Sequence, residues 1–145
     1  MPYHPMTEGE VRAFLTALPA RTAKLATVRA DGRPHVAPVW YDVDDDGAVL
    51  FTTGARTVKG RNLARDRRMA LCVDDDHPPF SFVTMEGVVQ VIEDLDEVCR
   101  WAERIGGRYM GAARAAEYGE RNGVDGERLI RLAPAVVHGV ADIAD

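Results

Sequence analysis

Short runs in which apolar and polar residues alternate make up much of this chain, and turns rich in Gly and Asp separate them. Such runs favour β-strands, because successive side chains of a strand point to opposite faces. The pattern predicts strands at about residues 22–30, 35–43, 48–53, 68–74, 80–92 and 127–141. Gly87 is expected to bend the fifth strand and Pro134 to interrupt the last.

Four helices are predicted between these strands. The first begins at Thr7 and Glu10, which have the spacing of a capping box, and ends before Pro19. The third has an apolar face, and Gly106-Gly107 is expected to stop it. The helices lie at about residues 7–18, 57–65, 94–105 and 112–121.

The order of these elements predicts the fold class. Hairpin turns such as Asp31-Gly32 join neighbouring strands, and few helices cross between them, so the sheet is expected to be antiparallel. We therefore expect a mainly β protein whose sheet closes, or nearly closes, into a barrel with flanking helices outside. The 145 residues suffice for a single domain, with an N-terminal helix in residues 1–19 and the barrel in 20–142.

Composition and charge narrow the classes of function. A hydrophobic content of 46% with 28% charged residues is typical of a soluble globular protein. The net charge of −5 argues against general nucleic-acid binding. The chain has neither a signal-peptide pattern nor an apolar run long enough for a membrane span, so we expect a cytoplasmic protein. Cys72 and Cys99 are expected to be reduced, buried residues.

The charges around residues 51–63 are unusual for a helix start. This stretch predicts a strand end, a Gly-containing turn and a helix whose N-cap is Thr57. Arg56, Lys59 and Arg61 crowd that helix N-terminus, which carries partial positive charge and favours anions. An anion held at this point would explain the cations, since free N–H groups and basic side chains then face one negative group. The alternative is that the basic side chains extend into solvent.

Other chemistry finds little support in the residues. Ser81 is the only serine, no hydrolase or phosphate-binding glycine motif occurs, and the four histidines lack the spacing of metal ligands. We therefore nominate no catalytic side chain and no metal site. Trp40 and Phe82 could line a flat ring, but aromatic residues of this kind more often belong to a barrel core.

Several motifs together resemble the pyridoxamine 5′-phosphate oxidase-like split β-barrels, a family of flavin and deazaflavin oxidoreductases. The resemblance covers about residues 20–142 and implies an antiparallel, FMN-binding-like split β-barrel. It also implies a homodimer with two cofactor sites at the subunit interface. The matching stretches are residues 25–35 (Leu-Ala-Thr-Val-Arg-Ala-Asp-Gly-Arg-Pro-His), 38–41 (Pro-Val-Trp-Tyr), 51–54 (Phe-Thr-Thr-Gly), 59–68 and 85–89.

The same resemblance implies roles for individual residues. Lys59 falls on the lysine that holds the cofactor phosphate, and Thr52 and Thr53 fall on positions that line the ring or its tail. The strand behind the ring corresponds to residues 38–40, and Phe82 matches a position contributed by the partner subunit. The full set of expected cofactor-binding residues is Lys59, Arg56, Thr57, Arg61, Asn62, Thr52, Thr53, Pro38, Val39, Trp40 and Phe82.

The choice of cofactor follows from one departure and one similarity. Val58 precedes Lys59 where the flavin oxidases have a second basic residue, whereas Lys-x-Arg-Asn-Leu resembles the branch that uses deazaflavin coenzyme F420. The acidic oligoglutamate tail of F420 suits extra arginines. The sixteen arginines and two lysines indicate GC-rich coding, which agrees with hosts that make this coenzyme.

We therefore expect an F420-dependent oxidoreductase that transfers a hydride between the cofactor and an unsaturated small molecule. The alternatives are an FMN-dependent oxidoreductase of the same fold, or a non-enzymatic protein that binds flavin or haem. In the haem alternative, His35 or His138 would be the ligand.

Overall fold

Ten strands and four α-helices make up the computed structural model, which describes residues 4–144. The helices are α1 Glu8–Thr16, α2 Val58–Arg65, α3 Leu95–Met110 and α4 Ala115–Asn122, and a 3-10 turn at Ala112–Arg114 precedes α4. The strands are β1 His4–Pro5, β2 Ala23–Val28, β3 Pro34–Val39, β4 Asp42–Val43, β5 Val49–Gly54, β6 Arg68–Asp75, β7 Ser81–Val88, β8 Gln90–Ile92, β9 Glu127–Leu132 and β10 Val136–Ala141.

The strands form two sheets that share one core. The six-stranded sheet has the order β1-β10-β7-β6-β2-β3, and the four-stranded sheet has the order β4-β5-β9-β8. Every strand pairing in both sheets is antiparallel. Side chains of both sheets, such as Leu25 and Leu71 of the larger and Phe51 and Ile130 of the smaller, meet in one buried cluster. The predicted antiparallel split barrel with flanking helices is confirmed.

Three of the predicted strands, at residues 35–43, 80–92 and 127–141, each divide into two, and the halves belong to different sheets. The chain changes sheets at Trp40-Tyr41, at Val89 and at residues 133–135. Pro134 was expected to mark the last break, but the expected bend at Gly87 lies two residues before the actual one. A Cβ on Gly87 would stand 3.0 Å from the Leu132 side chain, so this glycine allows residues 132–135 to pack closely against β7.

Helix α3 is longer than predicted. It continues through Gly106-Gly107 to Met110 and ends at Gly111, whose φ of 98° is in the left-handed region that glycine tolerates. A Cβ on Gly106 would stand 2.3 Å from the Cβ of Tyr118, so this glycine lets α4 pack closely against α3. The expectation that the glycine pair ends the helix is therefore wrong.

The remaining helix features agree with expectation. Thr7 Oγ1 accepts a hydrogen bond from Glu10 N at 3.2 Å, and Glu10 Oε1 accepts one from Thr7 N at 3.1 Å, which completes the predicted capping box. Helix α3 covers the outer face of the four-stranded sheet, where a second buried cluster includes Leu50, Trp101 and Leu129. Within residues 4–144, no helix is both long enough and apolar enough to cross a membrane.

Candidate functional site

A tight connection joins the end of β5 to the start of α2. Thr57 is the N-cap, as predicted: its Oγ1 accepts a hydrogen bond from Gly60 N at 3.1 Å and donates one to Gly54 O at 2.8 Å. A Cβ on Gly60 would stand only 2.1 Å from Gly54 O, so only glycine permits this approach of helix to strand. The helix start is therefore held in place by the end of the sheet.

Two backbone donors are left over at this helix start. Gly60 N bonds the Thr57 hydroxyl and Arg61 N bonds Thr57 O, whereas the N–H groups of Val58 and Lys59 have no hydrogen-bond partner within residues 4–144. The first N–H groups of any helix lack intrahelical partners, and the helix dipole adds partial positive charge there. This pair of donors can bind an anion.

Three cationic residues lie in or next to the first turn of α2. Arg56 and Arg61 are exposed and Lys59 is partly buried, and in the described part of the chain none of the three has an ion-pair or hydrogen-bond partner. Elsewhere an arginine such as Arg131 is bound to carboxylates, in this case that of Asp44 at 3.0 Å. The charges beside α2 are thus available to an external anion, as the unusual charge pattern of residues 51–63 suggested.

An acidic side chain also reaches this helix start. Glu127, the first residue of β9, lies opposite Gly54 in the pairing of β5 with β9. Its Oε1 and the Cγ2 of Thr57 both lie 3.5 Å from the point where a Cβ would stand on Gly54. Burial raises the pKa of Glu127, and the positive charge of Lys59 opposes that rise. Sequence reasoning missed Glu127, because only the pairing of β5 with β9 brings it to residues 54–59.

Three of the expected cofactor-binding residues are enclosed by protein. Thr53 Oγ1 lies 3.0 Å from Thr57 Oγ1 and so supports the cap. Asn62 donates to Thr27 Oγ1 at 3.0 Å and accepts from Arg65 at 3.1 Å, so its buried amide ties α2 to β2. Val39 is buried in the barrel core. These side chains support the site from the protein interior, and their polar atoms are already hydrogen-bonded within residues 4–144.

Trp40 packs inside the protein. Its ring stacks on Tyr109 with centroids 5.0 Å apart and planes 3° from parallel, and it tilts against Tyr118. It thereby adds to the second core cluster, in agreement with the alternative that assigned it to the core. Thr52, on the same strand as Thr53, points to the opposite face of β5 and is only partly buried.

Pro38 and Phe82 share the outward face of the six-stranded sheet. Pro38 is exposed on β3, which is the edge strand, and Phe82 is partly buried on β7 with its ring 6.1 Å from that of His138. Neither residue belongs to the buried clusters. Both therefore lie where a second molecule could contact this sheet.

The same outward face carries a row of side chains that are small or apolar except for Glu86. Val136, Glu86, Ala70, Ala26 and Val36 are consecutive cross-strand partners on five neighbouring strands. Val36 is 68% exposed and Val136 is 53% exposed. A groove of about 500 Å³ follows this row. Exposed apolar residues that lie together on a sheet face are typical of a contact surface.

The two histidines suggested for haem lie far apart. His35 is on β3 and His138 on β10, with β2, β6 and β7 between them in the sheet. At about 4.8 Å per strand, this places them about 19 Å apart, so they cannot ligate one iron within a single chain. The Nδ1 atom of His35 is also buried and lacks a hydrogen-bond partner among the described residues.

Comparison with known proteins identifies the family of this chain. The profile of the pyridoxamine 5′-phosphate oxidase family matches residues 7–141. A 5a,11a-dehydrotetracycline/5a,11a-dehydrooxytetracycline reductase of Streptomyces rimosus subsp. rimosus is 39% identical over 74 residues. That match spans 49% of this chain and 50% of the relative, so the chain matches about half of that protein's length.

Two solved structures are similar over most of the chain. The conserved hypothetical protein Rv2991 of Mycobacterium tuberculosis is 27% identical with a TM-score of 0.79, over 92% of this chain and 84% of that one. A structure described as an F420 reductase is 25% identical with a TM-score of 0.63, over 81% and 88%. The family resemblance predicted from the motifs is confirmed, and the chain belongs to the pyridoxamine 5′-phosphate oxidase family.

Proposed function

We propose that this protein is an oxidoreductase that uses the deazaflavin coenzyme F420 to transfer a hydride to or from an unsaturated small molecule. Family membership, the similar tetracycline reductase and the similar F420 reductase support an oxidoreductase with a flavin-type cofactor. One observation carries the proposal to this chain. Within residues 4–144, two N–H groups and three cationic side chains without partners lie at the start of α2.

The residues present fit the anionic part of such a cofactor. The N–H groups of Val58 and Lys59 and the Lys59 ammonium would hold the phosphate. Arg56 and Arg61 are exposed beside it and suit additional carboxylates, such as those of the acidic F420 tail. FMN, the alternative cofactor, has a phosphate but no such tail, so the outer arginines favour F420.

The cofactor and the protein have different roles in the proposed reaction. The cofactor supplies the hydride, and the protein supplies binding, orientation and electrostatics. No side chain is assigned as an acid, base or nucleophile. The substrate would be a small molecule bound beside the cofactor ring.

We also propose that the protein is a homodimer, with cofactor sites at the subunit interface. The row from Val136 to Val36 is apolar except for Glu86, and a stable interface needs about 800 Å² from each partner. Pro38 and Phe82 lie on that same face. Phe82 of one chain would then be available to the site of the other.

Cofactor titration tests the proposed function. The intrinsic fluorescence of F420 and FMN is followed as each is titrated with wild-type protein and with Lys59→Ala. We expect F420 to bind in the micromolar range or tighter, FMN to bind more weakly, and Lys59→Ala to weaken F420 binding by about tenfold or more. Arg100→Ala, which removes an exposed cation of α3, is the control and should leave affinity unchanged.

The opposite outcomes are equally clear. A wild-type protein that fails to bind F420 at saturating concentration would overturn the proposal. Tighter binding of FMN than of F420 would move the assignment to the FMN-dependent alternative. Turnover is then sought with conjugated and unsaturated acceptors, using the F420 absorbance as the signal.

A further inference from the structure

The charges at the start of α2 do not all have the same sign. Glu127 places a carboxylate beside Gly54 and Thr57, within the electrostatic reach of Lys59. The two charged groups nonetheless do not approach within the 4.0 Å of an ion pair in the described structure. An anion that binds the free N–H groups of Val58 and Lys59 would therefore meet both an attractive ammonium and a repulsive carboxylate.

The position of Glu127 is fixed by backbone pairing. Its Cα is the register partner of Gly54, and Ala55 N donates to Gly126 O at 2.7 Å, which ties the turn before β9 to the turn before α2. Glu127 is partly buried. The backbone of Glu127 therefore stays beside the helix start as long as the β5–β9 pair is intact.

Lys59 is the cation that acts on this carboxylate from α2, since burial raises the pKa of Glu127 and the charge of Lys59 opposes that rise. Arg56 and Arg61 are exposed to solvent, and β5 ends in Thr52, Thr53 and Gly54, which are uncharged. The next residue of β9, Arg128, is paired with Glu93 at 3.2 Å. The strength of the repulsion depends on the charge of the bound group, because Coulomb energy scales with the product of the charges.

Phosphate groups of cofactors come in two charge states. A terminal phosphate monoester carries close to two negative charges at and above pH 7. A phosphodiester carries one. Building on the proposed function, we infer that Glu127 is a specificity residue, which reduces the preference of this cationic site for a doubly charged phosphate monoester relative to a singly charged phosphodiester.

This role differs from that of a simple internal counter-ion. If Glu127 only neutralised Lys59 and the helix dipole, its removal would destabilise the fold and would change all anion affinities alike. A specificity residue changes the two affinities unequally. A unit charge at this range changes the affinity for a dianion by about tenfold, and half of that free energy corresponds to about threefold for a monoanion.

The experiment uses two ligands with one ring and different phosphate charge. They are the deazaflavin of F420 carrying a 5′-phosphate, and the methyl ester of that phosphate. Their affinities are measured by fluorescence at pH 8 for wild type, Glu127→Gln and Asp45→Asn. The last variant removes one exposed carboxylate at the opposite end of β5, about 17 Å or more from Gly54, and is the matched charge control.

We expect wild type and Asp45→Asn to show the same ratio of affinities for the two ligands. Glu127→Gln should bind the monoester about tenfold more tightly than wild type and the methyl ester only about threefold more tightly. Equal changes for the two ligands, or no change, would overturn the inference while leaving the proposed function intact. If wild type binds neither ligand and also fails to bind F420, the proposed function itself fails.

A second measurement needs only the wild-type protein and so covers the case in which Glu127→Gln does not fold. Binding of the methyl ester is followed from pH 8 to pH 4, a range in which a phosphodiester does not titrate. Burial raises the pKa of Glu127, so its carboxylate takes up a proton at a higher pH than a free glutamate does, and the repulsion weakens as the pH falls. Affinity should therefore rise toward pH 4, and a flat profile over the whole range would contradict the inference.

Discussion

Tyr109, on α3, connects the backbone of Arg21 with that of Tyr41. Its hydroxyl donates a hydrogen bond to Arg21 O at 2.6 Å and accepts one from Tyr41 N at 3.2 Å, while its ring lies flat against Trp40. Burial raises the pKa of Tyr109 to about 12, which agrees with a hydroxyl that stays protonated in this position. Because Trp40-Tyr41 is the point where the chain passes from one sheet to the other, Tyr109 holds that crossing against α3.

Removing this hydroxyl should weaken the fold. In Tyr109→Phe the N–H of Tyr41 and the carbonyl of Arg21 lose their partner, and a buried group left without one costs about 1–3 kcal/mol. We expect a decrease of that size in the free energy of unfolding, measured by urea denaturation. Tyr118→Phe is the control, since that hydroxyl bonds no backbone N–H, and a change of equal size there would contradict the assignment.

A methyl group at Gly106 should be poorly tolerated. The Cβ of Gly106→Ala would stand 2.3 Å from the Cβ of Tyr118, so α3 and α4 would have to separate. Overpacking of this kind destabilises a core by about 1–3 kcal/mol or more. Thermal unfolding should show a clearly lower midpoint for the variant.

Gly9→Ala is the matched control for this substitution. Gly9 lies within α1, and a Cβ there meets nothing within 4 Å. Alanine in an exposed helix interior is more stable than glycine by about 1 kcal/mol. The midpoint should therefore rise for Gly9→Ala while it falls for Gly106→Ala, and a fall in both would argue against close helix packing as the cause.

A charge on the outward face of the six-stranded sheet should separate the proposed dimer. Val36 is 68% exposed in the single chain, so Val36→Glu should leave the fold of each chain unchanged. A further carboxylate buried without a partner in an interface that already holds Glu86 costs several kcal/mol, and two copies would carry two of them. Light scattering coupled to gel filtration should show the monomer mass for Val36→Glu and the dimer mass for wild type.

Val124→Glu provides the control for the dimer experiment. Val124 is 46% exposed but lies in the turn before β9 rather than on the sheet face. The dimer should persist in this variant. A monomeric wild-type protein, or a Val36→Glu variant that stays dimeric, would show that this sheet face is not the interface.

Local patterns predicted the parts of the molecule in which neighbours along the chain interact. The capping box of Thr7 and Glu10 and the N-cap Thr57 are where the residue types indicated, because capping involves residues only three positions apart. The concentration of Arg56, Lys59 and Arg61 at that helix start was likewise visible in the chain. The strand pattern predicted the antiparallel fold for the same reason.

Contacts between distant segments could not be predicted in this way. The glycines at 106 and 107 look like a helix stop, yet they lie inside α3 because Tyr118 of another helix needs the space. The passage from β7 to β8 is hidden for a similar reason, since apolar alternation continues on both sides of Val89 while the two strands join different sheets.

The sequence by itself thus determined that a helix start rich in cations follows a strand in an antiparallel barrel, and the family motifs indicated its use. The tertiary structure decided what surrounds that point. Pairing of β5 with β9 brings Glu127 beside Lys59, and packing of α2 on β2 encloses Asn62. The sequence gives the charge of each residue. The distances between charged residues depend on strand register and helix packing, which involve residues far apart in the chain.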